Sequence, residues 1–184
     1  MFKKTRRNDI LSEHIDKHYF ERSLFKQVDF FQSFTAKINF MENQRLETLQ
    51  SFIGKPFEGS PSPFARWLGG KVLAANRDSV EFEFIVRNDM TNPVGMLHGG
   101  ALSGMIDDCI GVNFFVLGLE YFYPTINLNI EFLSGVKEGE TVLVKTRVVK
   151  QGRTIINLRA EVFNREGKIV AFATSNLAIS SIKI

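Results

Sequence analysis

Helical spacing of apolar residues dominates the first third of the chain and one later stretch. From Asp9 to about Phe40 the apolar positions recur at helical spacing among charges, which predicts one or two amphipathic helices. A second helical pattern, from Met41 to Ile53, ends at Gly54 and Pro56, a common stop signal. From Ala101 to Leu119 the chain is apolar almost all round the helical wheel, which predicts a helix buried inside the fold.

The pattern changes to period 2 after the loop from Glu58 to Pro63. Alternating polar and apolar positions, with turn residues between the runs, predict six strands: Lys71 to Ala75, Ser79 to Val86, Thr125 to Phe132, and about 140–150, 154–164 and 168–180. One buried helix beside a mostly antiparallel sheet is typical of an α+β architecture. We expect the sheet to curl around the helix.

Length and composition limit the organisation of the chain. With 184 residues, of which 44% are hydrophobic and 23% charged, it is long enough for one domain and an extension. We predict a helical extension over residues 1–57 and a main domain over residues 58–184. The net charge of +3 is small and spread along the chain, so nucleic acid is not a predicted partner.

The long apolar stretch is not predicted to cross a membrane. Asp107 and Asp108 lie in its middle, where a bilayer would penalise each carboxylate by about 2.5 to 3.5 kcal/mol. The single cysteine, Cys109, cannot form an intramolecular disulfide, and no apolar signal core follows the basic N-terminus. We therefore expect a cytoplasmic protein.

Several residues with reactive side chains have structural interpretations. Cys109 has no nearby basic partner in the sequence, so a buried, unreactive thiol is expected. Asp108 points about 100° away from Asp107 around the helix and is expected to be structural. His14 and His18 are four residues apart, but no glutamate follows the first histidine as in a zinc-protease helix, so no metal site is predicted.

Three motifs together resemble the PaaI-like branch of the hotdog acyl-CoA thioesterases. They are Asn92 followed by His98-Gly99-Gly100 and Asp107, the strand TINLNIEF from Thr125 to Phe132, and the turn Lys150-Gln-Gly-Arg153. The resemblance covers roughly residues 60 to 182. It implies a hotdog fold, in which a long antiparallel sheet wraps around a central helix.

The resemblance also implies an activity: hydrolysis of a fatty or aryl acyl-CoA to the free acid and CoA, without metal or redox cofactor. Asp107 takes the position of the general base or nucleophile. Gly99, with Gly100 as a second candidate, takes that of the backbone N–H donor to the thioester oxygen. Negative charge develops on that oxygen, and the unpaired N–H groups of a helix N-terminus are suited to stabilise it.

The resemblance assigns supporting roles to further residues. Asn92 would orient the carbonyl, Thr125 would help to position the water, and His98 would support the loop. A strand residue with no catalytic part is the other interpretation of Thr125.

The predicted hairpin turn from Lys150 to Arg153 has two interpretations. It either closes the hairpin only, or its cations also contact the phosphates of CoA. In the second case the contacts would come from Lys150, Gly152 and Arg153, with Arg153 favoured.

Helix geometry independently predicts an oligomer. Gly99 and Asp107 are eight positions apart on one helix, or about 12 Å along its axis. One thioester cannot contact both, so if both act on the same substrate, as the resemblance implies, the aspartate must come from a second subunit whose helix runs antiparallel across a two-fold axis. We expect a homodimer with two composite sites. The resembling family often pairs such dimers into homotetramers.

Two alternatives remain open at this stage. A hotdog acyl-thioester dehydratase would carry a histidine often followed by Phe-Pro-Gly, whereas this chain has Leu97-His98-Gly99-Gly100. A non-catalytic acyl-CoA-binding module could use the N-terminal extension to pass on a signal, although that extension could equally pack over the core or a neighbouring subunit. Neither the acyl group nor the choice between CoA and an acyl-carrier protein follows from the sequence.

Overall fold

The computed structural model describes residues 44–184, which belong to one compact unit beginning at Met41. Three α-helices and one 3₁₀ turn are present: α1 (44–50), α2 (Pro63–Leu68), the 3₁₀ turn (Asn88–Met90) and α3 (Gly99–Val116). The strands are β1 (Lys71–Asn76), β2 (Ser79–Ile85), β3 (Thr125–Phe132), β4 (Thr141–Gln151), β5 (Ile155–Asn164) and β6 (Ile169–Ala178). The helices predicted between Asp9 and Phe40, and the histidines there, lie outside the described residues.

The six strands form one antiparallel sheet in the order β1-β2-β4-β5-β6-β3. Its register aligns residues of the same face across neighbouring strands, as the alternation in sequence requires. One such row runs from Phe82 through Val144 and Val162 to Ala171, all of them buried. This row belongs to the face that carries the core.

Helix α3 packs on that face against β2, β3, β4 and β5. Nine of its residues are buried: Leu102, Met105, Ile106, Cys109, Ile110, Val112, Asn113, Phe114 and Val116. Gly100, Asp107 and Gly111 remain exposed along one line of the helix. The predicted central helix beside an antiparallel sheet is therefore confirmed, and one narrow stripe of the helix stays open.

Helix α2 was not predicted, because six residues are too few for a helical period to show. Its signals are local. The Ser62 hydroxyl accepts a hydrogen bond from the Ala65 N–H, Pro63 occupies the first turn, and Gly69 ends the helix at φ 70°. This short helix places Phe64 against Gly104 of α3, where an added Cβ would lie 2.5 Å from the Phe64 ring.

The described part of the predicted extension packs on the same core as the strands. Leu49 of α1 is fully buried within it. The backbone N–H of Gly54 donates to Val72 O at 2.8 Å, and that of Phe57 donates to Gly70 O at 3.0 Å. Residues 44–57 thus cover the end of β1.

A buried polar contact joins α3 to the sheet. The Asn113 Nδ2 group donates to Thr146 Oγ1 of β4 at 2.9 Å and lies 3.4 Å from Asp78 O. Asn113 Oδ1 is buried with no hydrogen-bond partner among the described residues. Removing one partner of a buried hydrogen bond lowers stability, because the remaining amide stays desolvated without a hydrogen bond to compensate.

Replacing Thr146 by valine should therefore lower the free energy of unfolding by about 1 to 3 kcal/mol, since the Asn113 amide loses its nearest acceptor. The double variant Thr146→Val/Asn113→Leu should recover most of that loss, because it removes both polar partners. Urea unfolding of wild type and both variants measures the difference. A Thr146→Val protein as stable as wild type would contradict this account.

Candidate active site

The loop before α3 is shaped by Asn92. Its side-chain Oδ1 accepts hydrogen bonds from the backbone N–H groups of Val94 and Met96, both at 3.1 Å. The backbone holds the end of the same loop, because Leu97 N donates to Val136 O at 2.7 Å. Asn92 therefore orders the loop through its oxygen, and its amide N–H₂ group has no acceptor within residues 44–184.

His98 caps the N-terminus of α3. Its Nδ1 accepts the Gly100 N–H at 2.9 Å, so that donor is already used. The Gly99 N–H has no acceptor among the described residues. Gly99 is the first residue of the helix, where an unpaired N–H and the helix dipole favour an anion. Of the two predicted glycine donors, Gly99 is the one that this structure leaves available.

A second cluster lies two turns further along the helix. The Thr125 hydroxyl, at the start of β3, donates to Asp107 Oδ1 at 3.0 Å. Both side chains are exposed in the single chain. The sheet therefore brings together two predicted site residues that are 18 positions apart in sequence, and the carboxylate keeps its second oxygen open.

The two clusters do not meet within one chain. Gly99 and Asp107 both lie on α3, which is continuous from Gly99 to Val116. The rise of an α-helix therefore separates them by about 12 Å along its axis.

Asp108, the neighbour of Asp107, has a different environment. It is half-buried, and no donor among residues 44–184 hydrogen-bonds to its carboxylate. Burial, and secondly the negative charge of Asp107, raise the pKa of Asp108 to about 6. Two adjacent carboxyl groups thus have different environments, because one is exposed to solvent and the other is half-buried.

Both carboxyl groups line a cavity of about 570 Å³ beside α3. Its walls are largely aromatic, from Phe57, Phe64, Phe114, Phe115, Phe122 and Tyr123. Arg45, Ser60 and Ile184 also line it, and they come from parts of the chain that the sequence analysis did not assign to a site. No local pattern in the sequence marks these three residues, because they lie far from α3 along the chain.

The β4–β5 turn is linked to the same region. The hydroxyl of Tyr123, whose ring lines the cavity, donates to Arg153 O at 2.9 Å. Gly152 is constrained there, because an added Cβ would lie 2.7 Å from Ile155 O. The side chains of Lys150 and Arg153 are exposed. The turn is thus held near Thr125, with its cations directed to solvent.

Cys109 is fully buried, and burial, followed by the charge of Asp108, raises the pKa of its thiol well above the ordinary value. A thiol in that state is a poor nucleophile. In the described part of the chain, no three His, Cys, Asp or Glu side chains are grouped so as to hold a metal ion. Nor is any helix there long and apolar enough to span a membrane.

Known proteins share this fold and part of this sequence. The thioesterase superfamily profile matches residues 94–171. Acyl-coenzyme A thioesterase 13 of Homo sapiens is 31% identical over 112 residues, which are 59% of this chain and 79% of the human protein. The structure of the phenylacetic acid degradation-related protein of Ralstonia eutropha JMP134 is 31% identical, with a TM-score of 0.59 over 65% of this chain and 92% of that one.

A thioesterase protein of Streptococcus pneumoniae TIGR4, solved with coenzyme A, is 25% identical, with a TM-score of 0.57 over 62% of this chain and 88% of that one. Fold and matches together define this chain as a hotdog-fold thioester hydrolase. It belongs to the PaaI-like family of acyl-CoA thioesterases, as its motifs predicted.

The environment of Asp108 generates a stability prediction. Its pKa rises from an ordinary 3.8 to about 6 on folding, so ionisation opposes folding increasingly as the pH rises through that interval. Asp108→Asn, which cannot ionise, should be more stable than wild type by about 1 to 3 kcal/mol at pH 7.5, and this advantage should vanish near pH 3.5. Urea unfolding at both pH values measures it, with Glu166→Gln in an exposed turn as control. An equal difference at the two pH values would contradict the assignment.

Proposed function

We propose that this enzyme hydrolyses fatty or aryl acyl-CoA thioesters at sites shared by two subunits. In each site the Gly99 N–H and Asn92 of one subunit would act with Asp107 and Thr125 of the other. The observation that carries the proposal is the Gly99 N–H, which has no acceptor among residues 44–184 and lies at the start of the same helix that presents the exposed Asp107–Thr125 pair. CoA thioesters are proposed as substrates because the human relative is named an acyl-CoA thioesterase and the S. pneumoniae neighbour holds coenzyme A.

The carbonyl end of the reaction is assigned to the start of α3. As water adds to the thioester carbon, negative charge collects on the carbonyl oxygen, and the Gly99 N–H would donate to it. The Asn92 amide, whose oxygen is fixed by two backbone N–H groups, can donate from its nitrogen to the same carbonyl. The donors are therefore held in place before the substrate arrives.

Asp107 is proposed to activate the water. Its carboxylate would take a proton as the water oxygen bonds to the carbonyl carbon, and the C–S bond would then break to release the CoA thiolate, which is protonated to the thiol. The Thr125 hydroxyl, 3.0 Å from Asp107 Oδ1, would hold the carboxylate in place and offer an oxygen to the water. Direct attack by the carboxylate is the other course the same geometry allows.

A homodimer is the assembly that would complete these sites. Strand β3 is the last strand of the sheet, so its outer edge is open within the described residues. Its Ile126 and Phe132, 58% and 54% exposed, would bury apolar surface against a second copy. Two-fold pairing along β3 would also bring the start of one α3 towards the middle of the other. The homotetramer and the cytoplasmic location remain predictions.

The β4–β5 turn is proposed to contact the CoA phosphates. Arg153 and Lys150 are exposed cations on a turn fixed to Tyr123 by a hydrogen bond. A guanidinium binds phosphate through paired N–H donors, which favours Arg153 over Lys150. Gly152 keeps the turn tight enough to present them.

The Gly99 donor can be removed without disturbing the helix. Proline is tolerated at the first helical position, and His98 already has the extended conformation that a following proline requires (φ −66°, ψ 134°). Gly99→Pro should therefore lower kcat about 100- to 1,000-fold, as expected for loss of one oxyanion donor.

Gly99→Ala is its matched control. It keeps the N–H, and the added Cβ makes an ordinary 3.5 Å contact with Phe132, so we expect activity close to wild type. Release of free thiol from a panel of acyl-CoAs gives the rates. Equal rates for the proline and alanine variants would remove Gly99 from the mechanism.

The shared site is tested by complementation. Asp107→Ala should lower kcat about 100- to 10,000-fold, as for loss of a general base. A heterodimer of one Asp107→Ala subunit and one Gly99→Pro subunit, isolated through two different tags, should regain about half of the native activity, because one of its two sites is intact.

Each outcome of this experiment is decisive. If Asp107 and Gly99 acted within one chain, neither subunit of the heterodimer would hold an intact pair, and it would be inactive. Failure of the two tagged chains to purify together would contradict the dimer. If the wild type binds acyl-CoA but hydrolyses none of the panel, the proposed hydrolysis is wrong and an acyl-CoA-binding module takes its place.

A further inference from the structure

The cavity next to Asp107 follows α3 towards its C-terminal end. Asp107, Gly111 and Phe115 line it at successive turns of one helix face. From Asp107 to Phe115 the helix rises about 12 Å. The cavity volume of about 570 Å³ falls within the range of small-molecule sites. An elongated ligand could therefore extend from the carboxylate to the end of the helix.

Arg45 lies at the far end of the cavity, beside Phe115. The Arg45 guanidinium donates to Leu119 O and to Ile184 O, both at 3.1 Å, and lies 5.4 Å from the centre of the Phe115 ring. Its charge is thus bound to backbone carbonyls and to an aromatic face. The residues of this end lie outside the segment 94–171 that matches the thioesterase superfamily, except for Phe115 and Leu119.

Gly111 keeps the middle of the cavity open. An added Cβ at this position would meet no atom within 4 Å, so no neighbour requires a glycine there. Gly104 of the same helix differs, because its missing side chain makes room for Phe64. Glycine is unfavourable inside a helix. At position 111 the space it leaves belongs to the cavity.

We propose that this cavity takes the acyl chain of the thioester and that Gly111 determines how long a chain fits. This inference rests on the proposed function, which places the thioester carbonyl at Asp107. An extended chain advances about 1.2 Å per bond, a third of the reach of an extended residue. The distance to Phe115 therefore holds about ten bonds, and the substrate class is medium-chain fatty acyl thioesters of roughly ten to twelve carbons.

The character of the walls favours an acyl chain over the other arm of the substrate, pantetheine. Phe57, Phe64 and Phe122 are among the aromatic residues that line the cavity. Pantetheine carries two amides that would be desolvated against these rings, whereas methylene groups gain from such burial. Pantetheine and the CoA phosphates are then left to the open side.

The experiment compares Gly111→Leu with wild type on straight-chain acyl-CoAs of two to sixteen carbons. Gly111 lies about 6 Å, or about five bonds, beyond Asp107 along the helix. The leucine should lower kcat/KM at least 10-fold for chains of ten and twelve carbons and change it less than about threefold for two and four. Gly111→Ala is the matched control, because it changes the same helix position and leaves most of the cavity open.

Two results with an active enzyme would overturn the inference. A length profile that Gly111→Leu leaves unchanged would show that the chain does not pass this residue. A uniform loss at every length, including acetyl-CoA, would place pantetheine in the cavity.

Binding of alkyl-CoA thioethers, which cannot be hydrolysed, separates this inference from the proposed function. Wild type should bind the decyl thioether at least 10-fold more tightly than the ethyl one, and Gly111→Leu should abolish that difference. This result without turnover of any acyl-CoA would support the cavity assignment and overturn the proposed hydrolysis. Affinities that do not depend on chain length would overturn the cavity assignment itself.

Discussion

The packing of α3 against the concave face of the sheet is the interaction on which the rest of this structure depends. Hydrophobic side chains from five strands of the sheet pack against the apolar faces of the helix. This burial stabilises a helix that its glycines would otherwise weaken. Because the helix is apolar almost all round, only one stripe of it remains accessible. That stripe carries Gly100, Asp107 and Gly111, so the exposed carboxylate and the cavity beside it lie along one line of the helix.

The regular rise of the helix also fixes the distances between residues along it. The proposed oxyanion donor at Gly99 and the carboxylate of Asp107 cannot approach each other on one helix, since each residue adds about 1.5 Å of rise. Sharing the site between two antiparallel copies of the helix would resolve this constraint, and the edge of β3, which is open within the described residues, offers a surface on which the copies could pair. The same spacing that separates the two proposed catalytic groups leaves room beyond Asp107 for a long substituent. The spacing of residues along α3 would thus determine the arrangement of the catalytic groups, the need for a second subunit and the length of acyl chain that fits.

The adjacent carboxyl groups show how environment divides similar side chains between roles. Asp107 lies on the open stripe, where Thr125 donates to it and solvent reaches it. Asp108 turns about 100° away towards the protein, and its burial beside a like charge raises its pKa. Ionisation of the half-buried Asp108 therefore carries a cost in stability at neutral pH, whereas Asp107 is exposed and bonded to Thr125. The two glycines at the start of α3 also differ. The Gly100 N–H donates to His98 Nδ1, which leaves the Gly99 N–H as the available donor in the described part of the chain.

The sequence by itself determined the local elements and the positions of the motifs. The spacing of apolar residues that marks a strand or a helix depends only on residues close together in the chain. The Thr125–Phe132 strand was therefore predicted with its observed bounds, and the buried helix to within three residues at each end. Helix α2 was missed because one and a half turns show no period. Only the tertiary structure decided which distant residues meet: that Thr125 contacts Asp107, that Arg45 and Ile184 line a cavity together with Phe115, and that Gly111 faces empty space. These contacts arise from packing between elements far apart in the chain, which no local pattern records.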